Sequence, residues 1–326
     1  MLLDSGTDCN KCDKLCKSPL LMACEHGHTE IVKMLLERGA DCNKCNIDDQ
    51  SPVLMAGENG HTEIVKMLLD SGADCNKCDK LCKSPLLMAC KHGHTEIVKI
   101  LLEREADCNK LSNSGFSSVM IACKQGHTEI VKMLLEREVD CIKCDNCGQS
   151  PVIMVCEHGH TEIVKLFLNK GVERDENGNS LLGIACKHGH TEIVNMLLDK
   201  GADYNKRDRN GDSPVLTGCK HGHTEIVNIL LDKGADYNKC CSVGGSPIMK
   251  ACKNGNIEIN KMLLEKGANY TNCDHYGNSP VMKACKYGHT EILKILLNIG
   301  ADYHECGKYG GSPVMRACEY GNTRNS

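Results

Sequence analysis

The sequence predicts an all-α array in which pairs of short helices stack in a row, joined by tight loops. Three observations carry this expectation. Gly27, Gly60, Gly93, Gly126 and Gly159 lie 33 residues apart, one interval of 30 leads to Gly189, and the 33-residue step resumes at Gly222, Gly255, Gly288 and Gly321. Around each glycine stands a version of one unit, which reads S-P-L-L-M-A-C-E-H-G-H-T-E-I-V-K-M-L-L-E-R-G-A-D-C-N from Ser18. Each half of that unit has apolar residues at helical spacing, on a segment too short to be stable alone. A period of this length means a small supersecondary unit repeated along a line, each copy covering the apolar stripe of the next.

The elements follow in order from the unit Asp13–Asn46. Ser18-Pro19 opens the first helix, because the hydroxyl caps free N–H groups and proline fits a first-turn position that needs no donor. Leu20, Leu21, Ala23 and Cys24 give its apolar face, and Gly27 permits the left-handed conformation that ends it. Thr29-Glu30 starts the second helix with acidic charge in the first turn. Ile31, Val32, Leu35 and Leu36 form its stripe, while Glu30 and Lys33 are placed to pair on the outer face. Gly39 closes it, and residues 41–50 form a turn-rich return.

These residues resemble the ankyrin repeat. The match rests on Ser18-Pro19-Leu20-Leu21-Met22-Ala23-Cys24, Gly27-His28, Glu30-Ile31-Val32-Lys33, Leu35-Leu36 and Gly39-Ala40-Asp41, and it recurs over nearly the whole chain. The resemblance implies an α-solenoid of antiparallel helix pairs, each followed by a loop projecting as a β-hairpin, curved so that a concave face takes a ligand. Residues 1–12 then form the end of a second helix, 13–306 nine repeats in one solenoid, and 307–326 a partial repeat. Residues 1–44 match 67–110 at 40 of 44 positions, so a block of two units has been copied. That alignment puts Met1 inside a second helix, and the chain stops where another would begin. This predicts a segment of a longer protein whose effector function lies elsewhere.

The departures from the family pattern are specific. The position after Pro-Leu, usually histidine, is apolar at Leu21, Leu54, Leu87, Met120, Ile153, Leu216, Met249, Met282 and Met315. The loop-tip glycine of later units is replaced by Cys16, Asp49 and Cys82, which predicts a different turn there. Glu105 and Glu138 replace the helix-ending glycine, at a cost of about 1 kcal/mol each. The unit ending near Arg174 is three residues short, so the loop at 171–179 is clipped.

Composition narrows the function. The net charge is −4, with 25% charged residues, 2 Phe and no Trp. That balance argues against nucleic-acid binding. Residues 241–326 carry 10 Lys and Arg against 7 Asp and Glu, a mild basic drift. The opening has no basic segment before a long apolar run, so it does not read as a signal peptide, and no stretch approaches a membrane span. The 25 cysteines recur at fixed columns and read as small hydrophobes in a reducing compartment, cytoplasm or nucleus.

The cysteine spacing raises a metal reading at Cys9/Cys12/Cys16, Cys42/Cys45, Cys75/Cys78/Cys82 and Cys141/Cys144/Cys147. The repeat register opposes it. The first cysteine takes the column where the family has a buried valine, later filled by Tyr204, Tyr237, Tyr270 and Tyr303, while the second falls in the loop and points elsewhere. Cys24, His26 and His28 likewise read as buried packing and framework rather than a thiol catalyst, since ten near-copies of one active site would be redundant. No phosphate loop, H-E-x-x-H or nucleophile elbow is present. The chain is expected to have no catalytic residue, no cofactor and no metal. Met22, Met55, Met88 and Met154 are expected at or near the core, and Lys33, Lys66, Lys99, Lys132 and Lys165 on a solvated face.

In the ankyrin fold, recognition uses loop tips and the ends of first helices, and these columns vary here. All 8 tyrosines lie after residue 203. Tyr276, Tyr287, Tyr309 and Tyr320 occupy the two columns, with Lys250, Lys253, Lys283, Lys286 and Arg316 on the first helices beside them. Tyrosine and arginine suit binding hot spots because they join contact area to a polar handle. The expectation is a monomeric, non-catalytic scaffold that binds an acidic or amphipathic segment of a protein partner, without nucleic acid or membrane. The alternative is a metal- or redox-responsive cysteine array.

Overall fold

The computed structural model describes residues 8–137, 139–172, 180–304, 307–308 and 310–321. Among them the chain forms 19 α-helices and no regular strand, in two compact units, residues 1–177 and 178–326. The clipped loop at 171–179 falls outside the described residues apart from Gly171 and Val172, as does Glu138.

The first unit pairs α1 (Pro19–His26) with α2 (Thr29–Glu37), α3 (Pro52–Glu58) with α4 (Thr62–Asp70), α5 (Pro85–His92) with α6 (Thr95–Glu103), α7 (Ser118–Gln125) with α8 (Thr128–Leu135), and α9 (Pro151–His158) with α10 (Thr161–Asn169). The second pairs α11 (Leu181–His188) with α12 (Thr191–Asp199), α13 (Pro214–His221) with α14 (Thr224–Asp232), α15 (Pro247–Asn254) with α16 (Ile257–Glu265), and α17 (Pro280–Tyr287) with α18 (Thr290–Asn298), and adds α19 (Pro313–Glu319). Within each unit, first helices stack on first helices and second on second. The core is therefore a strip, walled by residues such as Leu54, Val65 and Leu68, all at most 1% exposed.

The predicted caps form. Ser18 Oγ accepts from the Leu21 N–H at 3.2 Å, and Ser51, Ser84 and Ser213 repeat the bond. The apolar column after Pro-Leu is buried from Leu21 to Met282, whereas Met315 on α19 is 60% exposed. Met55, Met88 and Met154 are core residues, but Met22 departs from the expectation at 39% exposure. It stands on α1, the first helix described, whereas α3 and α5 have a first helix on either side. The lysines of the second helices lie outward, and Lys66 pairs with Glu63 at 3.0 Å.

Successive repeats are tied by histidines. Nε2 of His94 lies 3.0 Å from the Glu58 carbonyl oxygen, and Nε2 of His223 lies 3.0 Å from that of Lys187, so in the Nε2–H tautomer each ring donates to the preceding repeat. The ring fills the space under the preceding helix-ending glycine: a Cβ at Gly93 would stand 2.7 Å from His127 Cε1. That glycine therefore answers both a positive φ and a close approach. Where Asn256 replaces the histidine, the amide donates to the Cys219 carbonyl at 3.4 Å and leaves Gly222 a looser 3.1 Å.

The loop tips correct the sequence reading. Cys16, Asp49 and Cys82 do not adopt another turn. Their φ angles of 56°, 60° and 56° are left-handed, as is the 81° of Gly115. The closing bonds are also shared: Cys16 N–H donates to the Asp13 carbonyl at 3.1 Å, and Gly115 N–H to that of Ser112 at 2.8 Å. An aspartate or asparagine at the start of the loop imposes this turn. Asp13 Oδ1 accepts from the backbones of Leu15 and Lys17, both at 2.8 Å, and Asn46 and Asp79 act in the same way. Adjacent loop tips are joined by a backbone bond, such as Lys80 N–H to the Asp48 carbonyl at 3.0 Å, and side chains add others, such as Asn113 Nδ2 to the Lys80 carbonyl at 3.1 Å.

Candidate functional site

The helix-end column of His26, Asn59, His92, Gln125, His158, His188, His221, Asn254, Tyr287 and Tyr320 is exposed throughout, and so is the tip column wherever it is described. The sequence-predicted residues of unit 2 separate into two groups, and Tyr309 lies outside the described residues.

Lys253, Tyr287, Lys286 and Tyr320 come together at the C-terminal ends of α15, α17 and α19. Lys253 Nζ stands 5.7 Å from the Tyr287 ring centroid, and Lys286 Nζ stands 5.6 Å from Tyr287 and 4.6 Å from Tyr320. Such spacing lets the ring faces attract the ammonium groups. The Lys286 ammonium is pushed above its usual range by its hydrogen bond to Tyr320, against the opposing effect of burial. Tyr287 also stacks on His289, with centroids 6.5 Å apart, where other repeats stack two histidines such as His221 and His223.

Lys250, Lys283 and Arg316 sit one turn earlier and face the loop that precedes their own helix. Lys283 pairs with Asp274 at 2.8 Å. Burial alone would raise the Asp274 carboxyl, but hydrogen bonds from Lys283 and Asn278 outweigh it and hold the group below its ordinary value. Asp274 also accepts from the backbone of Tyr276, so Lys283 fixes the loop that displays this exposed tyrosine. Lys250 and Arg316 lie over Gly245 and Gly311, where an added Cβ would stand 3.3 Å from each chain. Arg316 bonds Glu319 at 2.8 Å.

Sequence reasoning missed that Lys253 and Lys286 belong to a longer row. The residue before each helix-end position is Lys187, Lys220, Lys253, Lys286 and then Glu319 in unit 2, and Glu25, Glu58, Lys91, Lys124 and Glu157 in unit 1. Reading this column across repeats would have found it. In four repeats the loop residue eight positions upstream meets it: Lys17 pairs with Glu25 at 2.8 Å, Gln149 donates to Glu157 at 3.0 Å, Lys124 lies over Phe116 at 5.6 Å, and Lys220 pairs with Asp212 at 3.3 Å. For Lys253 that residue is Gly245, which has no side chain to offer. Burial, then Lys220, His223, Lys187 and His188, hold His221 below its ordinary pKa, so cationic groups crowd this edge.

The thiols go their own ways. Cys42 and Cys75 donate to the carbonyls of Ser71 and Arg104, each at 3.4 Å, while Cys45 and Cys78 turn to Asn43 and Asn76 in their own loops. Tyr237 and Tyr270 bond the equivalent carbonyls, of Lys266 and Ile299, at 2.5 and 3.0 Å. Cys42 and Cys75 thus do the same work as these tyrosines, holding the end of the next second helix, whereas Cys108 and Cys141 turn to Ala106 and Val139 of their own repeat. Among the described residues, no three His, Cys, Asp or Glu side chains are gathered as a metal would need. Burial raises the Cys42, Cys75 and Cys78 thiols, which disfavours the thiolate that binds metal. It pushes the helix cysteines Cys24 and Cys156 up to about 12. No helix among the described residues is long and apolar enough to cross a membrane.

No curated protein sequence matches the chain. A family model for ankyrin repeats, three copies at a time, matches residues 1–79, 73–145, 138–208, 204–274 and 269–325. With helix pairs, histidine ties and loops recurring in the same register, the chain belongs to the ankyrin repeat family.

Proposed function

We propose that this protein is a non-catalytic scaffold of the cytoplasm or nucleus, a monomer that holds an acidic or amphipathic segment of another protein. Ankyrin repeats generally mediate protein–protein interaction, and the family assignment supports that class of function. The observation that carries the finer reading is the ladder Lys253–Tyr287–Lys286–Tyr320, which places two cations against two exposed aromatic rings over three consecutive first helices. Tyrosine with a fixed cation beside it gives a wide contact area of low conformational cost and a charge to meet a carboxylate. Tyr276 extends the surface along the loop tips, and Tyr309 holds the matching column of the sequence. Lys250, Lys283 and Arg316 support those loops rather than meet the partner first.

The test uses the full chain and fluorescein-labelled acidic peptides, read by anisotropy. Tyr287→Ala with Tyr320→Ala should weaken binding by about ten-fold or more, the loss expected of a hot spot, while helicity stays unchanged. Peptides that bind the double variant as well as the parent would refute the assignment of the site.

A further inference from the structure

We propose that unit 2 reads an extended acidic segment in the polyproline conformation, with a carboxylate at every third residue. This rests on the reading of the ladder as a partner site and adds a register to it. Lys187, Lys220, Lys253 and Lys286 stand at the same position of α11, α13, α15 and α17, one per repeat. First helices that pack on one another lie about 8–10 Å apart, so the ammonium groups recur at about that spacing. A polyproline helix advances about 3.1 Å per residue with three residues per turn, so every third side chain falls on one face about 9.3 Å from the last. A β-strand advances similarly but alternates its faces, so every third residue would point the wrong way. The two exposed tyrosines beside the row are the kind of aromatic wall on which proline-rich segments dock.

The row has charge in excess of what its neighbours cancel. Lys220 shares Asp212, yet its side chain stays 44% exposed. Lys253 has Gly245 where the other lysines of the row have Asn179, Asp212 and Asn278. The Tyr287 face holds Lys253 in place without neutralising it. Glu319 takes the column in α19 and closes the row after four lysines. Four contacts therefore match a segment of about four turns.

The experiment compares labelled peptides of equal composition on the full chain at low salt. One is (Glu-Pro-Pro)4, and the other has its four glutamates contiguous and its eight prolines after them. The periodic peptide should bind about ten-fold tighter, and Lys220→Ala and Lys253→Ala should each cost it about three- to five-fold, as expected for single charge contacts. Lys124→Ala in unit 1 should change nothing. Equal binding of the two peptides would overturn the register and leave the acidic-partner reading standing. Loss of binding to every acidic peptide would remove both. A helical peptide with glutamates seven residues apart, or a single-stranded oligonucleotide, binding more tightly than (Glu-Pro-Pro)4 would show that the row serves a different ligand.

Discussion

The two units share one scaffold and differ at its edge. In unit 1 the column before the helix end mixes both signs, and loop residues meet two of its carboxylates: Glu25 by Lys17 and Glu157 by Gln149. In unit 2 the same column is four lysines before it ends at Glu319, and aromatic residues follow in the last repeats. The backbone contacts beneath are common to both: His94 and His223 reach back to the preceding repeat at the same 3.0 Å. A repeat framework thus separates the residues that hold it together from those that meet other molecules, and duplication can change the second set without disturbing the first.

The largest effect expected is on the shared framework. Gly93→Ala in unit 1 combines a left-handed backbone with a Cβ 2.7 Å from the His127 ring. Strain of about 1 kcal/mol plus displacement of a packed ring of about 1–3 kcal/mol gives a total of about 2–4 kcal/mol. Gly222→Ala in unit 2 faces the smaller Asn256, so its cost should stay near about 1–2 kcal/mol. Denaturant midpoints of the two variants, with amide exchange to locate the loss, check the pair. Equal costs would mean that the ring contact contributes nothing.

Next comes the edge. Lys220→Glu with Lys253→Glu should reduce affinity for an acidic peptide by more than about ten-fold, or about 1.4 kcal/mol. The matching reversal in unit 1, Lys91→Glu with Lys124→Glu, should leave it unchanged. If both pairs act alike, the effect is net charge and the contrast between the units has no bearing on binding.

The sequence announced the framework because each contact has a fixed partner one repeat away. Ser18, Gly27 and Leu35 are legible as cap, terminator and core from one unit alone. The loop tips were harder. Cys16 and Cys82 hide a glycine-like turn because the organising group is the Asp13 or Asp79 carboxylate three residues before, a local bond that outweighs the backbone preference of the tip residue. At the candidate site, the tyrosines stood out by composition. The lysine row did not, because its meaning lies in the comparison of one column across repeats. That Lys283 faces Asp274 of its own loop depends on how the loop folds back, which no single-residue pattern encodes.

A smaller effect tests those tips. Cys82→Gly removes left-handed strain of about 1 kcal/mol but gives the unfolded chain more freedom, so a net gain of about 0.5 kcal/mol is expected. Asp79→Ala, which removes the acceptor for Leu81 and Lys83, should cost about 1–2 kcal/mol. A Cys82→Gly variant that is less stable than the parent would show that the thiol has a role at the tip.

The smallest effect concerns acid. His92 in unit 1 and His221 in unit 2 are both held below the ordinary value of 6.5, first by burial and then by neighbouring cations. Their neighbours differ. His92 feels Lys91, His94 and His127 but also Glu58, whose carboxylate lies 3.8 Å away and favours the charged form. Around His221 the acting charges are Lys220, His223, Lys187 and His188, all of one sign. A histidine whose folded value lies below its unfolded value binds fewer protons when folded, so stability rises with pH across the interval between them. It is undiminished above about pH 6.5 and declines as pH falls from there through the lowered folded values. Amide exchange followed between about pH 7 and pH 5 should therefore show α13 losing protection sooner than α5 after correction for intrinsic rates. His221→Gln should flatten that dependence more than His92→Gln. The reverse order would mean that the Glu58 contact, rather than the row of cations, governs how this edge responds to protons.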